Sequence, residues 1–315
     1  EIQKAKLSAN CDMVNASLNK TKAAWSIINS CMKSNSKPLP TPVSLTADKF
    51  NKYFVDCVND IRTKVPCSIE DHSFYVNCVN CDGNRFVNSF NINVFTVEEV
   101  FKAINGIRES ACLDVYGLNA AILKIASVFI CEVLTYLFNL SITQGVFPDL
   151  LKVSKVIPIH KRGAKELCDN YRPISIVPTV SKVLERLLHG QLVHFLEIND
   201  LLSKSQFGFR PKKSTVGAVQ QVIINSYEGI ENHNSVVLRS YNMSKAFDTV
   251  DHNILVNKLP YYFFSNSVVS LLKSYLENRR QTVFLNGNFS STLYVRHGVP
   301  QGSILGPMLF VLYIN

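Results

Sequence analysis

Two stretches in the last third of the chain hold residue types that could act on phosphates. Asn242-Met-Ser-Lys-Ala-Phe-Asp248 combines a polar leading residue, a short turn and an aromatic ring. Gly298-Val-Pro-Gln-Gly-Ser-Ile-Leu-Gly-Pro307 is a loop punctuated by Gly and Pro, a composition that lets backbone approach a nucleotide closely. Two-metal phosphoryl transfer clamps the attacking and leaving oxygens between ions roughly 3.5–4 Å apart. Carboxylates hold such ions, and a strand ending in Asp before a tight turn would present one. Here the turn and Phe247 are in place, but the leading position is Asn242, whose amide offers one oxygen and no charge.

These stretches need elements to position them. Val153 to Ile159 reads as a strand closed by the basic turn His160-Lys-Arg-Gly163, and Asn170-Tyr-Arg-Pro-Ile174 begins the return strand. Helical spacing predicts helices near 179–198 (Val180, Val183, Leu184, Leu187, Leu188) and 215–231 (Ala218, Val219, Val222, Ile223, Ile230). Ser235 to Asn242 reads as a strand leading into the first stretch, despite Arg239-Ser240 within it. A helix follows near 265–278. Gln281–Leu285 and Leu293–Arg296 flank Asn286-Gly287, a strong hairpin signal.

Further upstream, Phe50, Tyr53, Phe54, Cys57, Val58 and Ile61 recur at helical spacing over 46–62. Thr96 and Glu99 form a capping box ahead of Val97, Val100, Phe101, Ile104 and Ile107. A long helix runs from about Asn119 to Thr143. Its apolar part, Ile125 to Thr143, is interrupted by Glu132 and reads as a buried helix rather than a membrane span. Trp25, Ile27 and Ile28 suggest a short helix, Pro38, Pro40 and Pro42 a linker, and 63–93 loop or short strands. Helices mixed with short strands, without regular alternation, indicate an α+β fold.

The composition excludes some classes. With 47% hydrophobic residues the chain can bury a core and is not a disordered tail. Nine cysteines, an odd number without regular spacing, do not make a secreted disulfide framework. Cys78 and Cys81 form a lone C-x-x-C without a second pair. The polar start, Glu1 to Asn10, gives no signal peptide, so nucleus or cytoplasm is expected rather than secretion. The absent Met at the start, and the stop after an apolar run at Asn315, suggest a fragment. Net charge is +9, and Leu151–Thr215 alone carries 12 Lys/Arg against 5 Asp/Glu. That concentration fits either a polyanionic partner or an ordinary basic surface.

Six segments then resemble, in order, the reverse transcriptase domain of non-LTR (LINE-type) retrotransposons. They are Lys155-Val-Ile-Pro-Ile-His-Lys-Arg-Gly163, Asn170-Tyr-Arg-Pro-Ile-Ser175, Ser205-Gln-Phe-Gly-Phe-Arg-Pro211, Ser244-Lys-Ala-Phe-Asp-Thr-Val-Asp-His252, Ser274-Tyr-Leu-Glu-Asn-Arg279 and Gly298–Pro307. The resemblance covers about 95–315. It implies a right-hand polymerase fold with fingers and a partial palm at 153–315, a helical extension at 95–152, and a connector at 1–94 with a helical N-terminal extension. The implied reaction is RNA-templated addition of dNTP to a DNA primer 3′-OH, with Mg2+ as cofactor and no membrane partner.

The resemblance also implies roles. Arg172, with Lys161 and Arg162, would grip the triphosphate. Guanidinium matches phosphate geometry, although each cation alone would equally fit a surface ion pair. Gln206, Phe207, Gly208, Phe209, Arg210, Lys212 and Lys213 match a segment that contacts template and primer. Phe247 matches the bulky residue that excludes ribonucleotides; plain core packing is its alternative. Gln301 and Gly302 match the loop beneath the nascent base pair. Asp248 is structural in the family rather than a ligand. Asn242 stands where the family has its first catalytic Asp, so the metal position would be left with that amide and the Met243 backbone. The family's second metal-binding turn would lie beyond Asn315. This copy is therefore expected to be catalytically inactive, and the alternative is a non-catalytic RNA/DNA-binding module or a decayed fragment.

Overall fold

In a computed structural model, the described residues are 2–17, 19–21, 23–25, 27, 45–64 and 88–315. The helices are α1 (Ile2–Ala16), α2 (Ala47–Lys64), α3 (Val97–Asn105), α4 (Ala120–Gln144), α5 (Thr179–Ile198), α6 (Thr215–Glu231), α7 (His252–Lys258), α8 (Asn266–Leu276) and α9 (Leu305–Ile314). The strands are β1 (Val153–His160), β2 (Tyr171–Ile176), β3 (Arg279–Leu285), β4 (Asn288–Phe289) and β5 (Leu293–Val295). The chain is α+β, and it divides into compact units at Glu1–Val43 and Ser44–Asn315. The proline linker at 38–42, most of 63–93 and the Cys78/Cys81 pair lie outside the described residues, as does Ile28 beside the helical Trp25 and Ile27.

Within the larger unit one mixed sheet runs in the order β2-β1-β3-β4, with β5 also paired to β3. The β1–β2 hairpin is antiparallel, from Lys155 opposite Ile176 to His160 opposite Tyr171. β1 and β3 are parallel, from Val153 opposite Arg280 to Val156 opposite Val283. The Asn286-Gly287 turn is present, with φ of 50° and 85°. It joins β3 to the short β4, whereas β5 pairs further back along β3. The expected hairpin is thus real but asymmetric.

Helix α2 covers the sheet through Phe50 and Phe54, which are buried with Val156, Tyr171 and Val283. The main core lies under α5, whose buried stripe is Ser181, Leu184, Glu185, Leu188, Leu192 and Leu196. α3, with its capping box, and α4, α8 and α9 contribute Ile104, Phe138, Leu272 and Leu309 to it. Such burial stabilises by roughly 1.5–3 kcal/mol per large apolar side chain.

Two expectations need correction. α4 is not a wholly buried helix: Leu123, Cys131 and Phe138 face the core, but Ile125, Phe129 and Tyr136 are 79%, 84% and 68% exposed. α3, α5 and α8 pack against it, and they cover one face only. By length and composition alone α4 could cross a membrane. Nor is 235–242 a strand. Val237, Leu238 and Tyr241 are exposed, and no strand among the described residues pairs with the segment. A strand needs a partner for its N–H and C=O groups, and Arg239-Ser240 opposes burying this one.

Candidate active site

The two chemically loaded stretches meet through their backbones. The turn at Lys245, itself left-handed at φ 51°, places the Phe247 carbonyl to accept from Val299 N–H at 2.8 Å. Val250 carbonyl accepts from Gly298 N–H at 2.8 Å. The Gln301 amide donates to both Asp248 carboxylate oxygens, at 2.8 and 3.0 Å. Burial pushes the Asp248 carboxyl above its ordinary value, so these bonds hold a carboxylate in an unfavourable setting. Gly302 sits at φ 134°, and a Cβ there would lie 2.3 Å from the Ser175 carbonyl oxygen. Its small size lets the loop reach β2, where Ser175 N–H donates to the Gln301 carbonyl at 2.9 Å.

Phe247 is fixed by two rings. It stacks on Phe310 of α9 at 4.8 Å and 20°, and takes the edge of Phe209 at 5.5 Å and 85°. The structure therefore unites Phe247, Gln301, Gly302 and Phe209. Lys161, Arg162 and Arg172 are exposed around the far end of the β1–β2 hairpin, with Arg172 opposite Ile159. Gln206 donates to the Gly208 carbonyl, and Lys213 lies 4.7 Å over the Phe207 ring. Gly208 and Lys212 are exposed, the latter left-handed at φ 60°. Arg210 is engaged already: it bonds both Glu197 oxygens at 2.8 and 2.9 Å and the Ser203 carbonyl at 2.6 Å, anchoring this loop to α5. Asn242 and Met243 are exposed on the unpaired segment.

Residues 159–315 match the family model described as reverse transcriptase (RNA-dependent DNA polymerase). The chain is 33% identical over 235 residues to the probable RNA-directed DNA polymerase from transposon BS of Drosophila melanogaster, covering 71% of this chain and 25% of that protein. It is 39% identical over 188 residues to the corresponding X-element protein of the same fly, covering 57% and 20%. It is 34% identical over 185 residues to the RNA-directed DNA polymerase of the mobile element jockey, covering 58% and 20%.

The chain carries a reverse transcriptase domain of the non-LTR (LINE-type) class.

By descent this domain is a nucleotidyltransferase. It spans about a quarter or less of the length of these curated relatives.

Reverse transcriptases generally use divalent metal ions. Among the described residues no group of three or more His, Cys, Asp or Glu could hold a metal ion, and Asn242 brings no charge.

Several site-building residues of the reverse transcriptase domain escaped sequence reasoning. Lys245 pairs with Asp169 at 3.2 Å and bonds the Tyr53 hydroxyl at 2.9 Å, tying the turn to the β1–β2 loop and to α2. Burial opposes the lysine's charge, but the hydrogen bond to Tyr53 and the neighbouring Cys57 outweigh it and keep Lys245 protonated. Glu185, wholly buried, accepts from the backbone of Ile304 and Leu305 at 2.7 and 3.1 Å and from Ser181 at 2.9 Å. It thereby caps α9, whose own N-cap residue makes no side-chain bond. One signal for it was available: an acid on an otherwise apolar helical stripe.

His252 holds the loop from the other side, its Nε2 lying 2.7 Å from the Gly298 carbonyl. That contact requires Nε2–H, which the neutral ring supplies. Burial lowers the imidazole's pKa from 6.5, more than Gly298 and Asp251 raise it. The unfolded chain thus takes up the proton first as pH falls, and stability is lost from about pH 6.5 downwards. Urea midpoints of wild type and His252→Gln, followed from pH 7.5 to 5.5, should show a steeper fall for wild type. Parallel slopes would exclude this role.

Proposed function

We propose that residues 153–315 form the fingers and part of the palm of a LINE-type reverse transcriptase, with 95–152 as a helical lead-in and 1–94 as a connector. In this reading the domain binds an RNA template with its DNA primer and a dNTP, in the nucleus or cytoplasm, and does so without supporting polymerisation. The reaction of descent joins a primer 3′-OH to the α-phosphate of a dNTP. Arg172, Lys161 and Arg162 would meet the triphosphate, Phe247 the sugar, and the Gln301-Gly302 loop the nascent pair. Lys212 and Lys213 would meet the phosphate backbone.

The observation that carries the reading is the backbone-to-backbone seat of Gly298–Gly302 on the Lys245–Asp248 turn, which puts Phe247, Gln301 and Gly302 in one place. The non-catalytic part rests on Asn242. Without the carboxylate charge, transition-state stabilisation falls by an amount on the order of the 10²–10³ that single electrostatic donors contribute.

Binding of a labelled RNA–DNA template–primer, followed by fluorescence anisotropy, tests the reading. We expect salt-sensitive binding without sequence preference, weakened uniformly by Lys212→Ala/Lys213→Ala. Absence of binding at low salt would refute it.

A further inference from the structure

We propose that the outer face of α4 docks α4 of a second copy of this chain, the two helices packing antiparallel about a two-fold axis at the level of Cys131. α4 is inverted for a helix covered on one side. Much of what it turns inward is small, as at Ser127, Cys131, Thr135 and Ser141, whereas Ile122, Ile125, Phe129, Val133, Tyr136 and Leu140 are exposed. Steps of 3, 4, 4, 3 and 4 residues join these six into a straight apolar stripe, about 27 Å long at the rise of an α-helix.

Three observations choose the occupant. The first is area. With Val128 and Leu137 beside it, the stripe exposes roughly 850 Å² of apolar side chain. That exceeds the about 300–600 Å² of a typical monomer's largest patch and approaches the roughly 800 Å² each partner gives to a stable interface. The second is symmetry. Reflected about position 131, Ile122 falls on Leu140, Ile125 on Leu137 and Phe129 on Val133. An antiparallel partner of identical sequence therefore sets apolar against apolar along the stripe, as an isologous contact requires. It also brings the positive end of each helix dipole to the negative end of the other. The third is charge. α4 carries two charged residues: Lys124, held by Glu109 at 3.1 Å, and Glu132, about 60° around the helix from Phe129. The stripe itself offers no cation to a nucleic-acid backbone, and helices that lie on membranes are rich in Lys and Arg along their polar face.

α3, α5 and α8 take the other side of α4, so a partner helix meets none of them along the stripe. The stripe also shares no residue with the Lys245–Asp248 turn, the Gly298–Gly302 loop or the β1–β2 hairpin. Dimerisation and template binding are thus separable, and failure of one leaves the other standing.

Sedimentation velocity on the full chain, over a range of protein concentrations, reads the assembly. Wild type should pass from monomer to dimer and stop there, unaffected by nuclease or added salt. Phe129→Lys and Val133→Glu should each weaken the dimer roughly a hundredfold, because each change occurs twice across a two-fold interface. Both positions are exposed, so circular dichroism should show the variants folded. Mixed in equal amounts, the two variants should recover at least about tenfold of that loss, since the new ammonium of one copy then faces the new carboxylate of the other. In a parallel pair those positions never meet, so a mixture that stays monomeric would overturn the antiparallel contact. Wild type that remains monomeric, that associates without limit, or that instead floats with phosphatidylcholine vesicles would overturn the proposal outright.

Discussion

Glu185→Ala should destabilise the Ser44–Asn315 unit by about 3–5 kcal/mol. The carboxylate is completely buried, and its three hydrogen bonds are the N-terminal cap of α9 and the Ser181 link on α5. Alanine would leave two backbone N–H groups without a partner, at about 1–3 kcal/mol for each unsatisfied buried group. It would also remove a charge that interacts favourably with Arg279, which is 3% exposed and has one guanidinium nitrogen without a partner among the described residues. Glu185→Gln keeps acceptor geometry without charge and should cost less. A urea midpoint for Glu185→Ala within error of wild type would show that α9 is held by its apolar face alone. That face is substantial, since Leu305, Met308, Leu309, Val311 and Leu312 are fully buried.

Gly298→Ala should be comparably severe by a different route. At φ 80° an L-residue carries a left-handed cost of about 1–2 kcal/mol. The added Cβ would also lie 2.6 Å from the Asp248 carbonyl oxygen, 2.7 Å from its Cα and 2.8 Å from the Phe247 carbonyl oxygen. These are backbone atoms that cannot rotate away, so overpacking adds about 1–3 kcal/mol. Relief would move the loop off the turn and separate Gln301 from Asp248. Loss of stability should therefore come with loss of template–primer binding. Gly287→Ala serves as control, because φ there is 85° but nothing lies within 4 Å. If both variants lose the same amount, the close approach at Gly298 contributes nothing beyond backbone strain.

The elements that the sequence discloses are those whose signals are local. The Thr96–Glu99 capping box, the α5 stripe, the β1–β2 hairpin and the Asn286-Gly287 turn each depend on residues a few positions apart, and all form. The strand at 235–242 fails because a strand is a pairing, and its partner is not written in its own residues. α4 shows the same limit for burial: periodicity finds a helix, but only its neighbours decide which face is covered. The site divides likewise. Phe247, Gln301 and Gly302 are singled out through resemblance, and the geometry supplies structural reasons for these residue types. Gly302 spares the Ser175 carbonyl, and Gln301 satisfies buried Asp248. Arg210 is expected at template and primer by resemblance alone, and its anchor Glu197, thirteen residues away, is not signalled by either residue's neighbours. Tyr53, Asp169 and Lys245 come from three separated segments, and no spacing rule joins them.

Primer extension by the purified chain, with Mg2+, dNTPs and a recessed RNA–DNA template–primer whose binding is first verified by anisotropy, tests the proposal that Asn242 leaves this domain without the charge that polymerisation needs. The account predicts bound template–primer and no template-directed incorporation above a protein-free blank. Processive DNA synthesis that depends on template and dNTP would contradict it.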